Sequence, residues 1–165
     1  DALVGAMLLE KGDTVILGTG KGQSIRFKES DVREMGRAAG GVRVMKLGKG
    51  DKIVAADAVK KMYERPELLV ISANGYGKRT KLSEYKVQKR GGSGIKTAKV
   101  TPKTGPIITG AVVTGGDDSE VVAISKKSQV IRVDLKEIPS LSRATQGVRV
   151  MRMREGDSIA SLICL

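Results

Sequence analysis

The 165 residues carry 30 Lys and Arg against 18 Asp and Glu, a net charge of +12, with no histidine, one cysteine, three Tyr and one Phe. Without histidine the commonest general base and metal ligand is missing, and one cysteine builds neither a disulfide framework nor a thiolate zinc site. No apolar run approaches the roughly 20 residues that span a bilayer, and no basic, apolar leader opens the chain.

Residues 2–9, Ala-Leu-Val-Gly-Ala-Met-Leu-Leu, read as the last strand of a repeat that is otherwise missing, within a leading segment 1–13. The chain opens on Asp1 rather than Met and is expected to be a piece of something longer. From residue 14 it repeats itself. An offset of 53 residues superimposes Arg26, Arg79 and Arg132; Arg37, Arg90 and Arg143; and Gly41, Gly94 and Gly147. Gly41-Val-Arg-Val-Met45 and Gly147-Val-Arg-Val-Met151 are identical. Three repeats follow, 14–66, 67–119 and 120–165, all of one domain.

A period of about 50 residues suits one blade of a propeller-like array. In the first repeat four short strands are expected, at Thr14–Leu17, Ser24–Lys28, Val42–Leu47 and Ile53–Val59, each rich in Val, Ile and Leu and bounded by Gly, Asp or Lys. The connector near Lys60–Pro66 has room for a helical turn. In the second repeat Asn74-Gly75 marks a hairpin, and the connector Thr114–Glu120 is polar and loop-like. The third repeat ends on a strand whose Cys164 is expected in the core. The fold class is thus all-β: a pinwheel or propeller-like array of four-stranded blades, in an arc or half ring, since one blade cannot bury both faces without neighbours.

The charge calls for an anionic partner. A membrane surface needs an amphipathic helix, and none is visible. Single strands are held on aromatic platforms, which four aromatic residues supply poorly. Duplex DNA, gripped through its phosphates, needs only well-placed Lys and Arg. Four columns are basic in every repeat: Arg26, Arg79 and Arg132; Arg37, Arg90 and Arg143; Arg43, Lys96 and Arg149; Lys46, Lys99 and Arg152. Nine of these twelve are Arg, whose fork fits phosphate. Strand alternation turns Arg26 away from Ile25 and Phe27, hence outward, and Arg132 likewise. No acidic columns are seen to balance them. The plainer interpretation is a solubilising outer face; regular Arg columns favour a rim that reads backbone and shape rather than sequence. DNA following a curved rim must bend, at about 1–6 kcal/mol for a site of 20–30 base pairs.

The segment Gln88-Lys89-Arg90-Gly91-Gly92-Ser93-Gly94 combines charge with glycines that let a backbone approach a phosphate. Read blandly, it is a Gly-rich turn. Gly18–Ser24 lacks the Gly-Lys-Ser/Thr ending of a P-loop and reads as a hairpin. Asp117-Asp118-Ser119-Glu120 reads as a solvated turn rather than a metal site, and Tyr63, Tyr76 and Tyr85 as packing or surface residues.

Several segments carry a resemblance: Phe27–Arg33 with Met35-Gly-Arg37, Asn74–Thr80 with Ser83-Glu-Tyr85, Gly105–Gly110 with the strand after it, and Arg143–Arg149. They are similar to the C-terminal DNA-wrapping β-pinwheel domain of the A subunit of bacterial DNA gyrase, in its later blades. The A subunit of topoisomerase IV is a weaker relative. Gln88–Gly94 resembles that family's signature box, Gln-Arg-Arg-Gly-Gly-Lys-Gly, and departs from it at Lys89 and Ser93; Met35–Gly41 and Leu141–Gly147 are more degenerate versions. The resemblance implies a non-catalytic module that wraps duplex DNA and supports ATP-dependent negative supercoiling in a cytoplasmic, nucleoid-associated bacterial enzyme. Its partners would be double-stranded DNA, the rest of the gyrase A subunit, and the gyrase B subunit. No membrane or small-molecule substrate is expected. No cofactor is expected in this chain, ATP and Mg²⁺ being bound elsewhere in the holoenzyme. The expected DNA-contact set is the four columns together with Arg33, Lys78, Lys81 and the box residues Gln88, Lys89, Gly91, Gly92 and Gly94. The rival reading is a protein-interaction scaffold, which would not need basic columns in every repeat.

Overall fold

The computed structural model describes residues 3–114 and 119–165. It is all-β, with three antiparallel sheets. The strands are β1 (Thr14–Thr19), β2 (Gln23–Lys28), β3 (Ile53–Val59), β4 (Pro66–Ser72), β5 (Tyr76–Lys81), β6 (Ile95–Lys96), β7 (Ile107–Thr114), β8 (Glu120–Ser125), β9 (Val130–Asp134), β10 (Val148–Arg149) and β11 (Ile159–Cys164). Sheet 1 runs β3-β1-β2-β6, sheet 2 β10-β5-β4-β7, and sheet 3 β11-β8-β9.

The repeats do not build their sheets alone. β6 belongs to the second repeat by sequence but pairs with β2 of the first, Gln23 opposite Lys96 and Ser24 opposite Ile95. β10 of the third repeat pairs with β5 of the second in the same way. The expected strand Val42–Leu47 forms no sheet, because the sheet it would complete is that of a preceding repeat. Residues 3–10, expected to be a strand, form none either. They lack a partner edge among the described residues, and Leu3 and Leu8 lie exposed.

Continuous apolar runs such as Leu68-Leu-Val-Ile71 arise because sheet 2 is covered on both faces. Leu68 and Val70 pack with Ile16, Val59, Leu82 and Tyr85 on the side of sheet 1. Leu69 and Ile71 pack with Val121, Ile138, Met151 and Ile159 on the side of sheet 3. Each such side chain contributes about 1.5–3 kcal/mol when fully buried. The cores therefore lie between sheets, and separating the sheets would expose them.

Strand β7 contacts both β3 and β11, so these three edge strands lie together on the inner side. The opposite edges, β6 and β10, are outermost. Short 3-10 turns at Glu29–Asp31, Leu82–Glu84 and Leu135–Glu137 follow the second strand of each repeat. The Lys60–Pro66 connector holds turns and no helix. Cys164, expected in the core, is exposed, since it ends an edge strand whose outer side has no described neighbour. Asp117 and Asp118 lie outside the described residues.

Candidate nucleic-acid interface

The four basic columns separate into two kinds. Arg43, Lys96 and Arg149 are all exposed, and so are Lys46, Lys99 and Arg152. Lys96 and Arg149 stand on the outermost strands β6 and β10, and Arg43 on the segment equivalent to them. None of these six is in an ion pair among the described residues. They form an open cationic edge running across the repeats, the arrangement that phosphates bind by displacing counterions. Arg33, Lys81 and Lys89 are exposed as well.

The column of Arg26 and Arg79 behaves otherwise and corrects the expectation of an outward rim. Ile25 and Phe27 do face a core. The opposite face is not solvent, however, because the next repeat lies against it. Arg26 Nε donates to Thr14 Oγ1 at 2.9 Å and its Nη1 to the Leu82 carbonyl at 2.9 Å. Burial lowers the pKa of its guanidinium, which stays charged. Arg79 Nε donates to the Ile138 carbonyl at 2.7 Å, and Nη1 pairs with Glu67 at 2.8 Å. Arg132 is exposed but paired with Glu120. An acidic column thus exists after all, Glu67 and Glu120, twelve residues before the arginines on the neighbouring strand.

Lys78 is also misplaced as a DNA contact. It is buried, and its Nζ donates to the carbonyls of Ser142 and Arg143, both at 2.7 Å, and to Thr145 Oγ1 at 3.2 Å. Its pKa falls to about 8, mainly by burial, with Glu84 opposing and Arg143 adding to the shift. Strand alternation fails to place it because positions 25 and 131 of its column are Ile.

The box is a structural hinge between repeats before it is anything else. Gly91 N–H donates to the Val44 carbonyl at 2.8 Å, and Lys46 N–H to the Gly92 carbonyl at 2.9 Å. Arg90 Nε donates to the Asp31 carbonyl at 2.7 Å and Nη1 to that of Arg43 at 3.1 Å. Arg143 repeats the second bond, to the Lys96 carbonyl at 3.0 Å. Gly94 and Gly147 let β6 and β10 close on the neighbouring sheets; a Cβ on Gly147 would lie 2.6 Å from the Gly77 carbonyl oxygen. These glycines therefore serve strand exchange. Lys89, Gly92 and Ser93 remain exposed on the loop, Gln88 is half-buried, and Arg37 is exposed with no hydrogen-bonded side chain among the described residues.

Two basic residues lie outside the columns. Lys103 and Arg154 share a cleft with Asn74, Arg149 and Arg152. Lys103 Nζ and Arg149 Cζ sit 5.8 and 5.5 Å from the Tyr76 ring centre, and Arg149 donates to the Tyr76 hydroxyl at 3.2 Å. Their repeat mates are glycines and a threonine, so periodicity could not flag them; the local run Met151-Arg-Met-Arg154 could have.

A family model described as the DNA gyrase C-terminal domain, β-propeller, matches residues 13–60, 66–114 and 119–165. The DNA gyrase A subunit of Staphylococcus epidermidis is 38% identical over 162 residues, 98% of this chain and 18% of that protein. The A subunit from Lawsonia intracellularis is 39% identical over 156 residues, 94% of this chain and 19% of that protein. Among solved structures, a DNA gyrase A C-terminal domain aligns at a TM-score of 0.82 with 32% identity, covering 93% of this chain and 51% of that one. A C-terminal domain of DNA topoisomerase IV aligns at 0.83 with 24% identity, over 94% of this chain and 47% of that one, a likeness of fold.

Proposed function

The chain belongs to the family of DNA gyrase C-terminal β-propeller domains, and from that premise we propose that it binds and bends double-stranded DNA along the outer edge of its sheets. The observation that carries this reading is the pair of fully exposed basic columns, Arg43, Lys96 and Arg149 with Lys46, Lys99 and Arg152, repeated at one spacing. Contacts of this kind go to phosphates, so the binding is indifferent to base sequence and falls steeply with salt. Lys103 and Arg154 extend the same surface at the sheet 2–3 junction.

The chain spans less than a fifth of the length of the gyrase proteins it matches. Within a whole enzyme we take it to be the non-catalytic part of a type IIA topoisomerase. The rest of the gyrase A subunit and the gyrase B subunit supply cleavage, ATP and Mg²⁺, and the bent DNA is presented for negative supercoiling.

The test is a linking-number assay: nicked plasmid is ligated with increasing amounts of the chain, stripped of protein, and its topoisomers are resolved. The expected result is a shift that grows with protein. The variant R43E/K96E/R149E should lose it and weaken duplex binding, with the slope of log affinity against log salt flattened by about 0.9 for each contact removed. Unchanged binding by that variant would sink the outer edge as the DNA surface.

A further inference from the structure

Sheets 1 and 2 have four strands, and sheet 3 has three. What sheet 3 lacks is the outer strand that a following repeat donates. The pairings of Gln23 with Lys96 and of Tyr76 with Arg149 place the equivalent acceptor edge at Gln129 and Val130. No described strand pairs with it, and Val130 is 66% exposed.

A matching donor is present at the other end of the same chain. Gly41–Met45 has the sequence of Gly147–Met151, the segment that seats on β5. The box loop already holds it on one side through the Gly91–Val44 and Lys46–Gly92 hydrogen bonds. Copies of the chain thus carry both halves of a head-to-tail joint, and an unpaired edge of this kind invites pairing.

The acceptor turn is where the repeats differ. It reads Gly22-Gln-Ser24 in sheet 1, Gly75-Tyr-Gly77 in sheet 2 and Ser128-Gln-Val130 in sheet 3. The Gly22 carbonyl accepts from the N–H groups of Thr97 and Ala98 at 2.8 and 3.3 Å, and that of Gly75 from Val150 and Met151 at 3.0 and 3.1 Å. The donated strand therefore lies across the turn glycine. A Cβ there would fall far inside contact distance of the Ala98 or Met151 carbonyl oxygen. Ser128 keeps the left-handed backbone, φ +62°, and carries that Cβ. The atom it would meet is the carbonyl oxygen of a donor's Met45. Val130 adds bulk where a Cβ on Gly77 would already lie 3.0 Å from Val150 Cγ2.

We infer that Ser128 and Val130 close the β9 edge to strand donation, so that the array does not extend through sheet 3 and copies of the chain do not join head to tail. Specificity of this sort comes from an obstacle built against the wrong partner.

The variant S128G/V130S recreates the Gly-Gln-Ser turn of sheet 1, and glycine accepts the positive φ without strain. A peptide of residues 40–47 is titrated onto wild type and variant by fluorescence anisotropy, with sedimentation equilibrium of both proteins alongside. Wild type should stay monomeric and leave the peptide free. The variant should bind it more tightly by about tenfold or more and self-associate. A peptide carrying Gly41→Val should not bind, because the matching Gly147 packs against a carbonyl. Wild type binding the peptide as tightly as the variant would overturn the inference. So would a variant that keeps the wild-type circular dichroism yet binds no peptide.

Discussion

At the junction between sheets 2 and 3, Arg79 lies in a polar seam. Its guanidinium reaches Glu67 and the Ile138 carbonyl, Glu67 also accepts from Ser140, and the backbone of Arg79 bonds to Pro139 and Leu141. On the open face of sheet 3, Arg132 occupies the same repeat position and reaches only Glu120. The side chains of the first pair are 16% and 10% exposed, those of the second 66% and 27%. Sequence and strand geometry are alike at the two places. What differs is the neighbour: one face is covered by the next repeat and the other is not. A repeated residue thus has a repeated position, while its energetic role comes from what stacks on it.

The largest effect should come from breaking the covered member. Arg79→Ala leaves the Glu67 carboxylate buried without its cation and Ile138 without its donor, a loss of about 3 kcal/mol. Urea unfolding should show it as a lower midpoint. Should Arg79→Ala cost no more than the same change at Arg132, the seam between sheets would not be what holds the repeats together.

The contrast also explains what could be read in advance. The 53-residue period, the β1–β2 and β4–β5 hairpins and the buried Val and Ile positions were legible, because alternation and turn residues are local signals. Strand exchange was not. β6 and β10 are two residues long, and nothing local says that Lys96 will lie beside Gln23 rather than within its own repeat. For the same reason alternation turned Arg26 away from Phe27 correctly, yet could not reveal that Leu82 and Tyr85 of the next repeat would be waiting there. The exposed columns were legible because their strands are outermost, where no neighbour reassigns them. Lys103 and Arg154 were hidden because their charge does not recur with the period.

Lys78 sharpens the comparison from within the seam, since the equivalent residues Ile25 and Ile131 bring no charge. Its pKa falls from 10.5 to about 8 in the fold. Between those values the unfolded chain holds a proton that the folded chain has released, so stability rises with pH across that window. Below about pH 8 both states are charged and the burial penalty is present in full. Thermal melts of wild type and Lys78→Met from pH 7 to 10.5 isolate this contribution, because the tyrosines and the other lysines are common to both. The wild-type melting temperature should climb relative to the variant as pH passes 8. A constant difference would mean that the three acceptors around Nζ keep the ammonium charged throughout.

The smallest effect belongs to the uncovered member. Arg132→Ala removes an ion pair in which the cation is largely in water, where solvent screens the attraction and side-chain ordering offsets it. The urea midpoint should stay at the wild-type value, and added salt should change wild type and variant alike. This near-zero result carries as much weight as the loss at Arg79. If Arg132→Ala lowered the midpoint as Arg79→Ala does, the column would be stabilising within its own sheet, through the pairing of β8 with β9, and the covering repeat would be incidental. If it does not, the seam is made by the neighbour, and the arginine at position 132 is the same part waiting on a face where no repeat has stacked.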